Sequence, residues 1–258
     1  MPSRFQQAVD VTGRSLPLAV VPALATLLSL SKVAQALAAG GGGGVTFPFP
    51  TGLPTLWTYV SLPGGEGAVG LWGPLEFVVF LPLFVVGLLV TSALEAGFLG
   101  SLSRRIDAEA IDFGTSVRRY TVRMIGVNLI RAAVVFLVLP LMFVPPLALV
   151  VIIALTYLIY GLPFEVVVGE NSVVEALDAS VASALSGGAY AGFGAVHLLA
   201  GAVGSVVMTW IVRNGGVLGL LLGTAIVAVP ATFVATYGLL VFRDLESSGS
   251  HRTGTHSG

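Results

Sequence analysis

The chain has 258 residues, of which 55% are hydrophobic and 10% charged, with a formal net charge of −1 and a mean hydropathy of +0.96. Soluble proteins carry about 25% charged residues, so this composition excludes a soluble enzyme. The absence of cysteine excludes disulfides, thiol nucleophiles and thiolate metal sites. The small net charge gives no electrostatic basis for binding nucleic acid.

Uncharged intervals long enough to cross a membrane recur along the chain. A bilayer core of about 30 Å requires roughly 20 helical residues. The interval 132–164 is too long for one crossing, and Pro145-Pro146 within it predicts a tight hairpin. The sequence therefore predicts an all-α, polytopic membrane helix bundle with six transmembrane helices, at about residues 16–38, 73–97, 121–143, 147–168, 188–211 and 216–241.

The positions of Lys and Arg in the short loops predict the orientation, because these residues are retained on the cytoplasmic side. With the N-terminus inside, only Arg213 falls on the outer side. The inner segments hold Arg4, Arg14, Arg104, Arg105, Arg118, Arg119, Arg123, Arg243 and Arg252. We therefore expect a multi-pass cell-membrane protein with both termini in the cytoplasm. Residues 1–243 are expected to form one transmembrane domain, and the polar residues 244–258 a disordered tail.

The first predicted span has an alternative interpretation. A basic start, an apolar stretch at 16–30 and the sequence Ala36-Leu37-Ala38 also fit a signal peptide with an A-x-A cleavage site. Cleavage after residue 38 would leave five spans in the same orientation, so the distribution of charge does not separate the two alternatives.

The segment after the first span has a distinctive composition. The run Gly40–Gly44 disfavours a helix. Residues 45–65 are rich in Pro and aromatic residues and predict an outer loop, with Trp57 and Tyr59 at the membrane interface. A lid or a partner-binding surface is the alternative interpretation of this loop.

Short helices are predicted at the inner interface. Ser172 and Glu175 form a capping-box pattern that opens an amphipathic helix. Arg118, Arg119 and Arg123 precede the third span, where arginines favour contact with anionic lipid headgroups.

Glycine spacing predicts where two of the spans pack. Gly215, Gly219 and Gly223 recur at four-residue intervals on the sixth span, and Gly188 and Gly192 do so on the fifth. Small residues at this spacing allow helix backbones to approach closely within a membrane. We expect a tight antiparallel pair of spans five and six, with homodimerisation through the same stripe as the alternative.

Ionisable residues within spans are candidate functional groups, because placing them in a membrane is unfavourable. Arg131 is the first candidate, and we expect Glu165 on the next span to pair with it, with Glu95 as the competing partner. A structural ion pair that fixes the hairpin is favoured over a substrate or proton site. His197 lies in mid-span with no histidine or cysteine near it in sequence, which favours a hydrogen-bonded helix contact over a metal site.

The stretch Leu162–Ser180, LPFEVVVGENSVVEALDAS, resembles a prokaryotic family of six-helix integral membrane proteins abundant in halophilic archaea. It is similar to the membrane domain attached to some glycerophosphodiester phosphodiesterases. The basic loop before it, with Phe113-Gly114 followed by Arg118 and Arg119, is similar as well. The resemblance covers residues 95–244 and implies a membrane fold without catalytic residues.

The chain departs from that family at Asp178 and Ala179, where basic residues are common. This difference argues against a lipid-headgroup role for the helix that carries them. No phosphodiesterase catalytic domain is present in the sequence.

Two functional classes remain. The chain lacks the motifs G-x-x-x-x-G-K-[ST], H-E-x-x-H and G-x-S-x-G, so we predict no enzyme activity, no metal and no cofactor. The favoured hypothesis is a membrane scaffold or an accessory component of a membrane complex, with membrane lipids and a protein partner or second copy as its contacts. The alternative is a small-solute or lipid permease that uses a polar site around Arg131 and Glu165.

Overall fold

A computed structural model describes residues 3–62 and 74–253, with side chains at 3–62 and 81–248. These residues form α-helices and short 3₁₀ turns, without a strand among them. The helices are α1 (Arg4–Arg14), α2 (Val20–Leu28), α3 (Leu30–Ala38), α4 (Pro74–Ile106), α5 (Phe113–Val138), α6 (Pro145–Ile159), α7 (Leu162–Val168), α8 (Val173–Ser186) and α9 (Gly188–Thr253).

Four helical stretches in the described part of the chain are long and apolar enough to cross a membrane. They are Leu81–Ile106, Phe113–Phe143, Pro145–Val168 and Gly188–Ser248. A fifth is obtained if α1 and the stretch Leu16–Leu28, which is bent from it by 81°, count as one crossing. The prediction of an all-α protein with several apolar spanning helices is therefore confirmed.

The continuous helix expected over residues 16–38 is interrupted at Ser29, where α2 ends and α3 begins. The carbonyl of Thr26 accepts hydrogen bonds from the Ser29 amide and from the indole nitrogen of Trp57, at 3.3 and 2.8 Å. In a continuous helix this carbonyl would accept from the amide of Leu30. Contact with Trp57 thus replaces one bond of the regular helix.

The long helix α9 reverses direction at Gly216, whose φ and ψ of 54° and −135° are not helical. A Cβ added at Gly219 would collide with the backbone carbonyl of Ile211, and one at Gly223 would lie 3.2 Å from the Val212 side chain. Ile211 and Gly219 are eight residues apart and would be separated by about 12 Å along a straight helix. Their close contact therefore requires the chain to reverse direction between them. The two halves of α9, 188–215 and 217–253, therefore pack side by side.

The glycines of the fifth predicted span do not share this packing. Gly188 has a positive φ of 57° and lies at the turn between α8 and α9. A Cβ added at Gly188 or Gly192 would meet no described atom within 4 Å. Neither residue is therefore a position of close helix approach within this chain, whereas Gly219 and Gly223 are, and packing of Gly188 and Gly192 against a second copy stays a prediction.

The hairpin predicted at Pro145-Pro146 is present. A 3₁₀ turn at Leu139–Phe143 follows α5, and α6 begins at Pro145, where proline suits the first turn of a helix. The tip is apolar, with the Phe143 side chain 93% exposed. Such exposure is expected of a helix pair surrounded by lipid.

The other end of the bundle carries helix caps and ion pairs. Hydrogen bonds from the Thr115 hydroxyl and from the Thr115 amide, the latter at 2.9 Å, lower the pKa of the Asp112 carboxyl group. Ser172 and Glu175 form the predicted capping box of α8.

Helix α9 continues to Thr253, beyond the boundary at 244 where disorder was expected, and Asp244 pairs with Arg4. Residues 254–258 lie outside the described part.

Aromatic rings fill the centre of the bundle. Phe164 on α7 stacks on Phe242 of α9 at a centroid distance of 5.0 Å, and Tyr190 lies against both Tyr160 and Phe242. The hydroxyl of Tyr190 donates to the carbonyl of Tyr157 at 2.7 Å. This packing joins α6, α7 and α9 and fixes the wall against which the segment after α3 folds.

Candidate functional site

Residues 45–62, here called the inserted segment, contain one 3₁₀ turn (Leu56–Thr58) and no α-helix, and they fold into the bundle instead of remaining at its surface. Leu56 and Trp57 are buried, and the ring of Phe49 stacks on Tyr160 at 6.4 Å. The Trp57 side chain is therefore packed inside the bundle and not on an exposed outer loop. Its indole donates to the Thr26 carbonyl inside the bundle, and that bond satisfies its polar edge.

Hydroxyl groups of the surrounding helices satisfy the backbone of the inserted segment. The Thr46 amide donates to Ser205 Oγ at 3.0 Å, the Leu56 amide to Thr26 Oγ1 at 3.0 Å, and the Ser61 amide to Thr209 Oγ1 at 2.9 Å. Thr26, Ser205 and Thr209 are themselves buried. Non-helical backbone at membrane depth needs such partners, because lipid supplies none.

The glycine run before the inserted segment is held by the turn of α9. The two terminal nitrogens of Arg213 donate to the carbonyls of Gly43 and Gly40 at 3.2 and 3.1 Å. A Cβ at Gly42, whose φ is +154°, would lie 2.9 Å from the same guanidinium. Glycine therefore allows the backbone to wrap around Arg213.

A buried polar network lies between α4 and α5. Arg131 Nη1 donates to both carboxylate oxygens of Glu95 at 3.1 Å and to Asn128 Oδ1 at 3.0 Å. Asn128 Nδ2 in turn donates to Ser92 Oγ and to Glu95, at 3.0 and 3.2 Å. The Glu95 side chain is 2% exposed and that of Arg131 is 27% exposed. The charge of Glu95 is thus neutralised by a hydrogen-bonded partner, as a buried carboxylate requires.

This network corrects the pairing expected from the sequence. Arg131 binds the competing partner, Glu95, and not Glu165. Glu165 is also buried, but it lies on α7 within hydrogen-bonding reach of the Ser183 hydroxyl on α8. The hairpin of α5 and α6 is therefore not fixed by an ion pair across it.

A cavity of about 860 Å³ opens beside the inserted segment. Seven of its fifteen described lining residues are Ser or Thr, and the others include the aromatic residues Phe49 and Trp57 and the polar residues Lys32 and Gln35. The hydroxyls belong to Ser31, Thr46, Thr51, Thr55, Thr58, Ser61 and Thr156. Such a lining can form several hydrogen bonds to one small polar molecule.

The cavity and the polar network meet at Thr51 and Gly52. Thr51 lines the cavity, and its Oγ1 atom is buried without a hydrogen-bond partner among the described residues. A Cβ at Gly52 would collide with Glu95 Oε1 and approach Pro163 Cβ to 2.9 Å. Two adjacent residues therefore connect the space of the cavity to the carboxylate that Arg131 binds. The buried Nη2 atom of Arg131 also lacks a hydrogen-bond partner within the described part of the chain.

His197 lies away from this network. It is 6% exposed, and its ring is 6.1 Å from the ring of Tyr59 and 6.3 Å from that of Phe193. Its Nε2 atom has no partner among the described residues, so the hydrogen-bonded contact expected there is not formed at that atom. Within the same residues, no group of three His, Cys, Asp or Glu side chains is placed to hold a metal ion.

The arginines expected at lipid headgroups differ in their surroundings. Arg119 pairs with the Glu170 side chain, and Arg123 Nη1 donates to the Glu170 carbonyl at 2.8 Å. These contacts hold Glu170 at a positive φ of 52° in the turn between α7 and α8. Arg118 is exposed on the same helix and remains the candidate for a headgroup contact.

Sequence reasoning missed the residues that build the cavity. It treated Thr51, Gly52 and Thr55 as part of a surface loop, although Thr26, Ser205 and Thr209 mark buried polar positions in otherwise apolar stretches. Ser and Thr residues on the inward face of a membrane helix could have indicated that another segment packs there, because each buried hydroxyl needs a hydrogen-bond partner. Comparison of the chain with protein families, curated proteins and solved structures finds no match.

Proposed function

We propose that this chain is a small-solute permease of the cell membrane that accommodates a hydroxylated polar solute in the cavity beside the inserted segment. The observation that carries the proposal is the continuity between the cavity, whose wall holds seven Ser and Thr residues including Thr51, and the adjacent Gly52, which lies against Glu95. A solute beside Thr51 would lie next to the residue that contacts the buried ion pair.

The lining indicates the class of solute. Seven Ser and Thr hydroxyls and one amide offer donors and acceptors, while Phe49 and Trp57 offer flat apolar surfaces. The described lining includes the cation Lys32 and no Asp or Glu. A volume of about 860 Å³ falls in the range of small-molecule sites, roughly 300–1,000 Å³. Together these features favour a neutral polyol or sugar over a cation.

The inserted segment supports transport in preference to a purely structural role. Solute sites in many transporters are formed where helices are interrupted and non-helical backbone lines a cavity. Here the break at Ser29, the glycine run and residues 45–62 supply such backbone. The scaffold hypothesis, which the sequence favoured, assigns no role to the cavity.

The proposal includes six crossings and cytoplasmic termini. In this proposal the two halves of α9, which the reversal at Gly216 separates, make two crossings, and the interrupted pair α2 and α3 makes another. The ion pairs Arg4–Asp244, Arg119–Glu170 and Arg243–Asp107 lie at one end of the bundle, and Arg213 lies at the other. This distribution favours a cytoplasmic location for the first end.

The proposal assigns no catalytic chemistry to the cavity. The described residues that line it include no His, Asp or Glu that could act as a general base for its hydroxyls. Kinship with the six-helix membrane family of halophilic archaea remains a prediction from the sequence.

Flux into vesicles tests the proposal. Protein in proteoliposomes is expected to accelerate the osmotic swelling that follows exposure to glycerol or xylitol, relative to empty liposomes. Thr51→Val removes a buried hydroxyl that the solute reaches only when the cavity wall moves during transport, and it should slow the entry by about tenfold, the effect of losing one hydrogen bond. Thr224→Val is the matched control, because the buried Thr224 hydroxyl donates within its own helix to the Leu220 carbonyl.

Two results would contradict the proposal. One is the same swelling rate in empty and protein-containing liposomes for every polyol and hexose tested. The other is an equal loss of flux in Thr51→Val and Thr224→Val, which would assign the effect to general destabilisation. In either case the scaffold hypothesis would become the better account.

A further inference from the structure

We propose that a second site, on the side of the bundle, binds one anionic membrane lipid. The site is a crevice of about 440 Å³ between α1 and the two halves of α9, here called the lateral crevice. Its walls include Phe5, Gly192, Phe193, Val196, Ala200 and Phe233. It shares no described lining residue with the hydroxyl-lined cavity, and the proposal stands independently of solute transport.

The shape of the lateral crevice suits a hydrocarbon chain. Ala189 and Ala200 both line it, and eleven helical residues between them correspond to a length of about 16 Å. Gly192 contributes no side chain, and a Cβ there would meet no described atom within 4 Å. Val196 is 67% exposed, so the crevice is open towards the surrounding lipid. An apolar chain gains dispersion contacts with these walls that an empty crevice lacks.

The end of the crevice nearest the ion pairs offers a site for an anionic headgroup. Arg4 lines this end, at the first turn of α1, where the helix dipole is positive. Its Nε atom donates to Asp244, and within the described residues its two Nη groups have no other partner. Arg243 nearby is paired with Asp107. Arg4 is therefore the cation in the crevice wall that remains able to donate to a phosphate.

Native mass spectrometry of the delipidated full-length protein tests this proposal. The probes are dioleoylphosphatidylglycerol and dioleoylphosphatidylcholine, which share their chains and differ in net charge. We expect one tightly retained phosphatidylglycerol and about fivefold less retention of phosphatidylcholine, the effect expected for one cation near a membrane surface. Arg4→Gln should remove this preference, while Arg14→Gln, which alters the other end of α1, should retain it.

A second experiment fills the lateral crevice with larger side chains. Gly192→Leu should lose the bound lipid, and Gly204→Leu is the matched control, since Gly204 is on the same helix with equally open space but does not line the crevice. Ala200→Leu, at an exposed position of the crevice wall, replaces Gly192→Leu if that variant does not fold. Equal lipid retention in the wild type and both crevice variants would overturn the proposal. If Arg4→Gln retains the same preference for phosphatidylglycerol over phosphatidylcholine as the wild type, or if the wild type shows no preference, the role of Arg4 would be overturned.

Discussion

Gly52 lies directly against the carboxylate of Glu95, so the inserted segment and the buried ion pair form a single structure. The carboxylate is held from the other side by Arg131 and Asn128. A side chain at position 52 has no space, and a change in the ion pair would be transmitted to the neighbouring Thr51 in the cavity. The stability of the segment and the geometry of the cavity therefore depend on the same contact.

Gly52→Ala should lower the free energy of unfolding by about 1–3 kcal/mol, the usual cost of overfilling a packed core. The added methyl group would collide with Glu95 Oε1 and lie 2.7 Å from Leu99 Cδ1. Gly43→Ala is the matched control, because a Cβ there meets no described atom within 4 Å. Thermal unfolding in detergent measures both. A destabilisation of Gly43→Ala as large as that of Gly52→Ala would show that the cost is not contact with Glu95.

The pairing of Arg131 with Glu95 predicts which double mutants are non-additive. Glu95→Gln and Arg131→Gln should each destabilise the protein by about 3–5 kcal/mol, because each leaves a buried charge without its partner. The double variant should lose much less than the sum. Glu165→Gln combined with Arg131→Gln should be additive, since the two residues are not paired. Strong coupling between Arg131 and Glu165 instead would contradict the pairing.

The hairpin of α9 predicts that substitutions at two glycines of the same stripe, Gly215 and Gly219, differ in their effect on stability. Gly219→Ala should destabilise the protein, because its Cβ would meet the Ile211 carbonyl, which is backbone and cannot move aside easily. Gly215→Ala has open space in the described structure and should be neutral or slightly stabilising, by up to about 1 kcal/mol. Thermal unfolding compares them. Equal destabilisation at both positions would indicate packing against a second copy through the whole stripe.

Cysteine labelling tests the orientation, since the natural chain has no cysteine. Gly43→Cys lies in the glycine run bound by Arg213, and Gly114→Cys lies in the first turn of α5, and both positions have room for a Cβ. A membrane-impermeant maleimide should label position 43 in intact cells and position 114 only after permeabilisation. Labelling of both positions in intact cells would contradict six crossings with cytoplasmic termini.

The packing of the N-terminal helices predicts whether residues 1–38 are retained in the mature chain. Ala8 and Val11 on α1 are fully or almost fully buried, and Ala36, within the predicted cleavage site, is 3% exposed. Because these residues complete the packing against α9, we expect the chain purified from its membrane to retain residues 1–38. Intact-mass measurement decides this. A chain that begins at residue 39 or 40 would favour the signal peptide.

The sequence by itself determined the helical, membrane-type architecture, because uncharged intervals and their length report directly on burial in lipid. It also determined local features such as the Ser172–Glu175 capping box and the turn at Pro145, which depend on residues within a few positions of each other. Gly219 was identified as a close-approach position from its spacing alone, whereas a Cβ at Gly192, which the same rule selected, would meet no described atom within 4 Å.

Only the tertiary structure decided which charges meet and where residues 45–62 lie. Arg131 has carboxylates at comparable depths on two neighbouring helices, and helix rotation, which spacing does not specify, brings Glu95 and not Glu165 to it. The inserted segment looks like a surface loop because its own composition is that of a loop. Its burial is possible because Thr26, Ser205 and Thr209, distant in sequence, supply the hydrogen bonds that water would otherwise provide.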